Sequence, residues 1–499
     1  MHEDNNLDYK KLKFKCGLEV HQQLNPEKGK LFCDCPAILR KDEPDFTVER
    51  KLHAIAGETV SVDLAVQFQS SLKKDFIYQG YNRTTCLVEL DEEPPHQINE
   101  DALKIALQIA ILMNMKIIPI TQIMRKTVID GSNTTGFQRT ILIARDGYVE
   151  TDEGKFGIKF LYLEEDAARI ISRAQIGNSL ETQNNILRRE KGKDVYRLDR
   201  LGIPLVEVVT EPDIKTPKQA QKVALKIGEI LRSCKVKRGI GTIRQDVSVS
   251  INNGNRVEIK GAQDIDLLPT IVENEIKRQQ EEKNVKAEVR NALPDGKTEF
   301  LRPLPGAARM YPETDLPLLK ISRDLINEVK KNLPKLREEN EQELKKYGLH
   351  EEMIKLILRE GKIEEFKELV KILENPGIVA KILVLYPREL AAKNNISEDK
   401  VESILNRDIF AGILEAIHKN KITERQAKEV MERILNETEF SEALKFEEPD
   451  FNEIEEKIIG IIKQKPGLSA NAYMGLVMKE LHGKIDGKTA MEIIGKYVK

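Results

Sequence analysis

Residues 248–261 read SVSINNGNRVEIKG. Two runs of alternating apolar and polar residues flank Asn253-Gly254, a dipeptide that readily takes positive φ, so the stretch predicts an antiparallel hairpin. Strand side chains alternate between faces, which sets Val257 and Ile259 against Arg256, Glu258 and Lys260. Upstream, in TIRQDVSVSI (242–251), Val247 and Val249 oppose Arg244, Asp246 and Ser248 in the same way. FKCGLEVHQQL (14–24) puts Glu19 and His21 on one face and Leu18 and Val20 on the other, and TVSVDLAV (59–66) reads as a further half-buried strand. IPLVEVVTEPD (203–213) places Glu207 alone among apolar neighbours. Several strands thus present a carboxylate beside a base or imidazole on one side. If the sheet curves towards that side, it encloses a charged basin.

Carboxylates with one imidazole suit Mg²⁺, which takes a few protein oxygens and otherwise binds water and substrate phosphate. Nearby Arg and Lys would meet the phosphates. A solvated sheet face laced with cross-strand ion pairs is the other reading of the same pattern. LYLEEDAARI (161–170) bears on the choice. Its three adjacent acids, Glu164, Glu165 and Asp166, are closed in by apolar residues, an arrangement suited to a cation site. The first turn of an exposed helix, where acids complement the dipole, would also explain them.

The 499 residues exceed one ordinary core and imply two to four domains. Up to about residue 320 strands mix with helical periods at 100–114 and at 216–232, where Thr216-Pro217 suits an N-cap and the first helical position. From 321 to 447 the period is helical throughout, and Glu447-Glu448-Pro449 breaks it before a tail, 448–499, of three or four short helices. The expected class is α+β: a mixed or antiparallel sheet domain over 1–320, an all-helical domain over 321–447, and a small helical tail.

Net charge is −2 with 32% charged residues, so any nucleic-acid contact must come from local basic patches. The N-terminal MHEDNNLDYKKLKFK lacks the apolar core of a secretory signal. ALKIALQIAILMNMKIIPI, interrupted by Lys104, Gln108, Asn114 and Lys116, falls short of the roughly 18 apolar residues that span a bilayer. Five cysteines (Cys16, Cys33, Cys35, Cys86, Cys234) without framework spacing point to reduced thiols and a cytoplasmic location. Cys33-Asp34-Cys35, with only Cys86 as a plausible third thiol, reads as packed thiols rather than zinc ligands. Gly296-Lys297-Thr298 and Gly487-Lys488-Thr489 end like phosphate-binding loops, but Asn291 and His482 stand where the earlier glycine is required. Arg244 likewise replaces the third glycine after Gly239 and Gly241, and no G-x-S-x-G or H-E-x-x-H occurs.

Taken together, GLEVHQQL with KLFCDCP, MRKTVIDGSNTTGFQRT, LEEDAARI, LDRLGIPLVEVVTEPD, KRGIGTIRQDVSVSI and LRPLPGAARMYPETDLP resemble the B and E subunits of tRNA-dependent amidotransferases, and more closely the archaeal-type E subunit. YMGLVMKELHGKIDGK is similar to the YqeY-like domain that ends both. The resemblance implies a cradle-shaped catalytic domain, a helical domain and a YqeY-like tail. It implies ATP-dependent conversion of Glu-tRNA(Gln) to Gln-tRNA(Gln), with ATP and Mg²⁺ as cofactors. Ammonia would come from an asparaginase-like glutaminase of the D type, in a heterotetramer of two D and two E chains. The scattered Lys and Arg of the C-terminal domains would grip the tRNA.

By the same resemblance His21, Glu207 and one of Glu164 and Glu165 are metal ligands, with Glu19 and Asp246 beside them in the catalytic set. Arg139, Arg244, Glu258 and Lys260 are the expected nucleotide-facing residues, and DGSNTTG (130–136) is a loop near the site. Typical E subunits carry an inserted domain, similar to one in bacterial aspartyl-tRNA synthetases, before the LPDG stretch. Here IVENEIKRQQEEKNVKAEVRNALPDG (271–296) passes straight through. B subunits also lack the insert but show a second cysteine pair where this chain has TTCLVELDEEPPH (84–96). A B-type subunit and a non-catalytic tRNA-binding scaffold are the alternatives.

Overall fold

The computed structural model describes residues 7–53, 62–72, 74–172, 193–282, 284–306, 309–446, 451–480 and 487–498. The chain divides into two compact units, Met1–Arg337 and Glu338–Lys499.

The first unit is built on an eleven-stranded sheet. In chain order its strands are β1 (Lys15–Gln23), β2 (Lys116–Ile117), β3 (Ile123–Thr127), β4 (Phe137–Thr151), β5 (Gly154–Glu165), β6 (Pro204–Thr210), β7 (Ile243–Ser250), β8 (Val257–Lys260), β9 (Glu288–Ala292), β10 (Thr298–Pro303) and β11 (Met310–Pro312). They lie in the order β10-β9-β8-β7-β1-β6-β5-β4-β3-β11, with β2 added beside β4. Every pairing is antiparallel except β8 with β9, so the sheet is mixed.

Sequence forces this sheet to curl. Laid flat, ten strands at about 4.8 Å spacing would span roughly 43 Å. Yet β10 and β11, its two edges, are consecutive in the chain, and Pro303 to Met310 reaches at most about 25 Å when fully extended. The edges are therefore drawn towards each other.

The convex face carries the apolar set Leu18, Val20, Ile141, Leu163, Val206, Val208, Val247 and Ile259, all essentially buried. Helices α1 (Glu100–Leu112), α2 (Pro217–Ser233) and α3 (Leu268–Glu281) cover it. Each forms for readable reasons. In α1, Asn99 accepts the Ala102 N–H as N-cap, and Glu100 and Asp101 complement the dipole. In α2, Thr216 caps, Pro217 fills the first turn, and Ala220, Val223, Ala224, Ile227 and Leu231 form one apolar stripe.

The hairpin expected at 248–261 is present, with Val249 opposite Val257. The residues at positive φ are Asn252 and Asn253, not Asn253-Gly254, so the turn sits one residue earlier than expected. Of TVSVDLAV, residues 59–61 lie outside the described residues. The remainder is not a strand, because Asp63 accepts the Ala65 and Val66 N–H groups and starts a helix, Leu64–Ser71. A second sheet of four strands, Phe46–Arg50, Asp75–Gly80, Lys193–Arg197 and Arg169–Ser172, packs around Phe76, Tyr78, Tyr196 and Leu198.

The boundary expected at 320/321 falls instead at 337/338. Helix α4 (Arg323–Lys331) returns to the first unit, burying Val329 in its core with Leu325 and Ile326 packed alongside. Lys104 and Glu328 join α1 and α4 at 2.8 Å. The second unit is helical. One core gathers Phe366, Leu383, Phe410, Ile413, Val430 and Met431. A separate one is shared by helices Phe451–Gln464, Ala470–Glu480 and Gly487–Tyr497 through Ile458, Tyr473, Val477 and Ile494. The break expected at 447–449 lies outside the described residues. The α+β class, with a mixed sheet followed by helical segments, is as the sequence led us to expect. Among the described residues no helix is long and apolar enough to cross a membrane.

Candidate functional site

The concave face of the curled sheet holds a cavity of about 570 Å³. Register explains its lining. In the antiparallel pairs His21 lies opposite both Glu207 and Arg244, Glu19 opposite Asp246, and Glu164 opposite Thr140. Directly opposed residues share a face, so one row across β7, β1, β6, β5 and β4 delivers these side chains to one basin.

His21 Nε2 stands 3.3 Å from Glu207 Oε2 and 3.5 Å from Glu19 Oε1. Two groups of ligand atoms gather within 4.8 Å: His21, Glu164 and Glu207, and Glu19, His21 and Asp246. The Lys126 ammonium lies among the first group, 2.6 Å from Glu164 Oε1 and 3.4 Å from Glu207 Oε2. Thr140 Oγ1 and Gln138 Nε2 also donate to Glu164, at 2.7 and 3.1 Å.

The electrostatics follow from this crowding. Burial, and then the Glu207 charge, push Glu19 up to about 7. Glu164 is raised for the same two reasons. Burial also pushes Glu207 up, but Lys126 and the His21 hydrogen bond outweigh it and hold this carboxyl well below the usual range. Burial opposes protonation of His21, yet Glu207 and Glu19 raise its pKa overall. Two carboxylates and an imidazole at this spacing fit a hard divalent cation, which would supply the missing positive charge.

Residues 14–327 match the GatB/GatE catalytic domain and residues 364–498 match the GatB domain. The chain belongs to the GatB/GatE family. Membership makes it one component of an amidotransferase, an enzyme of the ligase type. Proteins named as the E subunit of glutamyl-tRNA(Gln) amidotransferase are similar over nearly all of it. The one from Methanocaldococcus jannaschii is 36% identical, covering 99% of each chain. That from Methanosarcina barkeri is 33% identical, covering 98% of each. That from Methanothermobacter thermautotrophicus is 36% identical over 77% of this chain and 81% of its own. The first alignment runs 648 positions against 499 residues here, so that relative carries long stretches with no counterpart in this GatB/GatE chain.

The three adjacent acids of this family member have three destinations. Glu164 enters the basin. Glu165, one position on, faces the opposite side of the sheet, where Arg139 Nη1 lies 3.3 Å away. Arg139 in turn donates to Glu313 at 2.8 Å and stacks against Phe137. The assignments of Glu165 as metal ligand and Arg139 as phosphate-facing are therefore corrected: strand alternation turns both away from the basin. Asp166 closes the row as an anchor, accepting from Gln23 Nε2 at 2.6 Å and Arg244 Nη2 at 2.8 Å.

Glu258 and Lys260 do line the basin, with Lys260 Nζ 2.7 Å from Asp246 and 3.2 Å from Glu258. The 130–136 loop contributes Asp130, Ser132 and Asn133 to the lining. Sequence reading missed Lys126, Gln138, Thr140, Arg302 and Arg309, all in the cavity wall. Only Gln138 and Thr140 carried a signal: alternation sets them on the face opposite Arg139.

Away from the basin, Cys33, Cys35, Cys86 and Glu89 bring one ligand atom each within 4.8 Å of one another. Packed thiols were expected, but this is a converged set of soft donors with one oxygen, a combination suited to a zinc-type ion. Cys86 is held low by hydrogen bonds from Cys33 and Cys35, while Cys33 is raised by its contacts with Cys35 and Cys86. Glu89 is engaged by the buried Lys30 ammonium and by the Cys86 N–H at 3.0 Å.

Proposed function

We propose that this chain carries out the ATP-dependent step that converts Glu-tRNA(Gln) to Gln-tRNA(Gln). The glutamate γ-carboxylate oxygen attacks the γ-phosphorus of ATP, ADP leaves, and ammonia then displaces phosphate from the acyl carbon. The observation that carries this reading is the gathering of His21, Glu164 and Glu207 within 4.8 Å in a basin of about 570 Å³.

Two anions must meet in the first step, and their repulsion is the main barrier that positioned charge can lower. His21, Glu164 and Glu207 would hold the divalent cation that neutralises them, with Glu19 and Asp246 beside it. Thr140 and Gln138 fix the Glu164 carboxylate in place. Asp166 fixes Arg244 at the rim, and Asp246 with Glu258 fixes Lys260. Relatives are named as E subunits, which supports a partner glutaminase of the D type as ammonia source and a two-plus-two assembly.

The test is direct. Purified chain with ammonium, ATP, Mg²⁺ and Glu-tRNA(Gln) should yield Gln-tRNA(Gln), and His21→Ala or Glu207→Ala should abolish the product. Binding of tRNA with no ATP turnover, even with ammonium supplied, would establish the scaffold reading instead.

A further inference from the structure

Resting on the ATP reading above, a second question concerns the phosphates themselves: which cations remain free to receive them? Lys126 is neutralised by Glu164 and Glu207, Lys260 by Asp246 and Glu258, and Arg244 by Asp166. Arg139 faces away. Two guanidiniums in the cavity wall differ from these, Arg302 and Arg309.

Arg302 sits on β10 opposite Val289, which lies opposite Glu258, so register places it on the basin face. Among the described residues it has no hydrogen bond and no carboxylate at ion-pair distance. Burial and the neighbouring Arg309 push its pKa down, with Glu258, Asp130 and Asp63 acting only through space. Arg309 donates through Nε to Thr127 O at 3.0 Å, which fixes its plane and leaves its outer nitrogens without a partner among the described residues.

Two half-buried like charges set side by side oppose each other unless an anion completes the group. The fold goes out of its way to assemble them. One comes from the β10 edge and the other from beside the β11 edge, and they meet only because the sheet curls. The planar forks of arginine suit bidentate capture of phosphate oxygens.

We propose that Arg302 and Arg309 form the receptor for the nucleotide's polyphosphate within the basin that also holds the acid cluster. A Mg²⁺ ion bound through few carboxylates completes its shell with substrate phosphate, which favours nucleotide here over the tRNA backbone.

The experiment measures affinity for Mg²⁺ with a non-hydrolysable ATP analogue, without tRNA, by calorimetry on the full chain. Arg302→Gln should weaken binding at least tenfold and Arg302→Lys less. Arg309→Gln should also weaken it. The thermal midpoint of Arg302→Gln without nucleotide should equal or exceed that of wild type, since an unneutralised buried charge is removed. Filter binding of Glu-tRNA(Gln) to the same variant should be unchanged. Wild-type nucleotide affinity in Arg302→Gln, a midpoint lowered by several degrees, or loss confined to tRNA would each overturn the proposal. Failure of wild type to bind the analogue would overturn the ATP reading itself, a result distinct from wild type binding and the variant matching it.

Discussion

Lys126→Met is the perturbation that best separates a cation site from a static ion-pair network. The ammonium lies 2.6 Å from Glu164 and 3.4 Å from Glu207, and both acids are nearly inaccessible. Removing one partner of a buried charge cluster costs about 3–5 kcal/mol, because the remaining charges are left uncompensated. At roughly 2 °C per kcal/mol for a unit of this size, the metal-free variant should melt about 5–10 °C lower than wild type. Methionine keeps the length of the chain, so packing loss is small.

If the acids are cation ligands, Mg²⁺ replaces the missing charge. A ligand at a hundred times its dissociation constant returns about 2.7 kcal/mol, so saturating Mg²⁺ should recover most of the loss. Since an entering ion no longer competes with the ammonium, Mn²⁺ should also bind the variant more tightly than wild type. The assay is thermal melting with EDTA or Mg²⁺, with Mn²⁺ affinity read by electron paramagnetic resonance. An equal melting deficit with and without metal, together with unchanged Mn²⁺ affinity, would refute the reasoning.

Glu164→Gln should abolish Mn²⁺ binding, whereas Glu165→Gln should leave it intact and lower stability by roughly 1–3 kcal/mol through its Arg139 contact, as measured by Mn²⁺ titration and urea unfolding. Folding raises Glu19 from the ordinary carboxylate value to about 7. Its contribution to stability is complete below the ordinary value and lost as pH rises through about 7, so the metal-free midpoint should fall between pH 5 and pH 8, less steeply in Glu19→Gln. The Cys33, Cys35, Cys86 and Glu89 cluster should retain about one zinc per chain by elemental analysis after purification without chelator, and Cys35→Ser should reduce it.

Much of the site was legible in period-two patterning. Glu19 with His21, and Arg244 with Asp246, could be placed on one face because each strand's neighbours are plainly apolar. The same rule, applied to Leu163-Glu164-Glu165, already separates the two glutamates, and Thr140 from Arg139. Treating LEEDAARI as one acidic block obscured that. TVSVDLAV misled because its alternation is interrupted by an Asp63 cap, a local hydrogen bond that outweighs a short apolar pattern. Two features were not legible. The Arg302–Arg309 pair exists only because the sheet's two edges meet, and Cys86 joins Cys33 only across a long loop closure. Neither leaves a periodic trace in the chain.

Where a divalent ion settles in the first unit is the most direct test of the cation site. Crystals soaked in Mn²⁺ should give an anomalous-scattering peak bounded by His21 Nε2, Glu164 and Glu207, with the Lys126 ammonium moved off Glu164. Full Mn²⁺ occupancy elsewhere in the first unit, with Lys126 still bridging the two carboxylates, would contradict it.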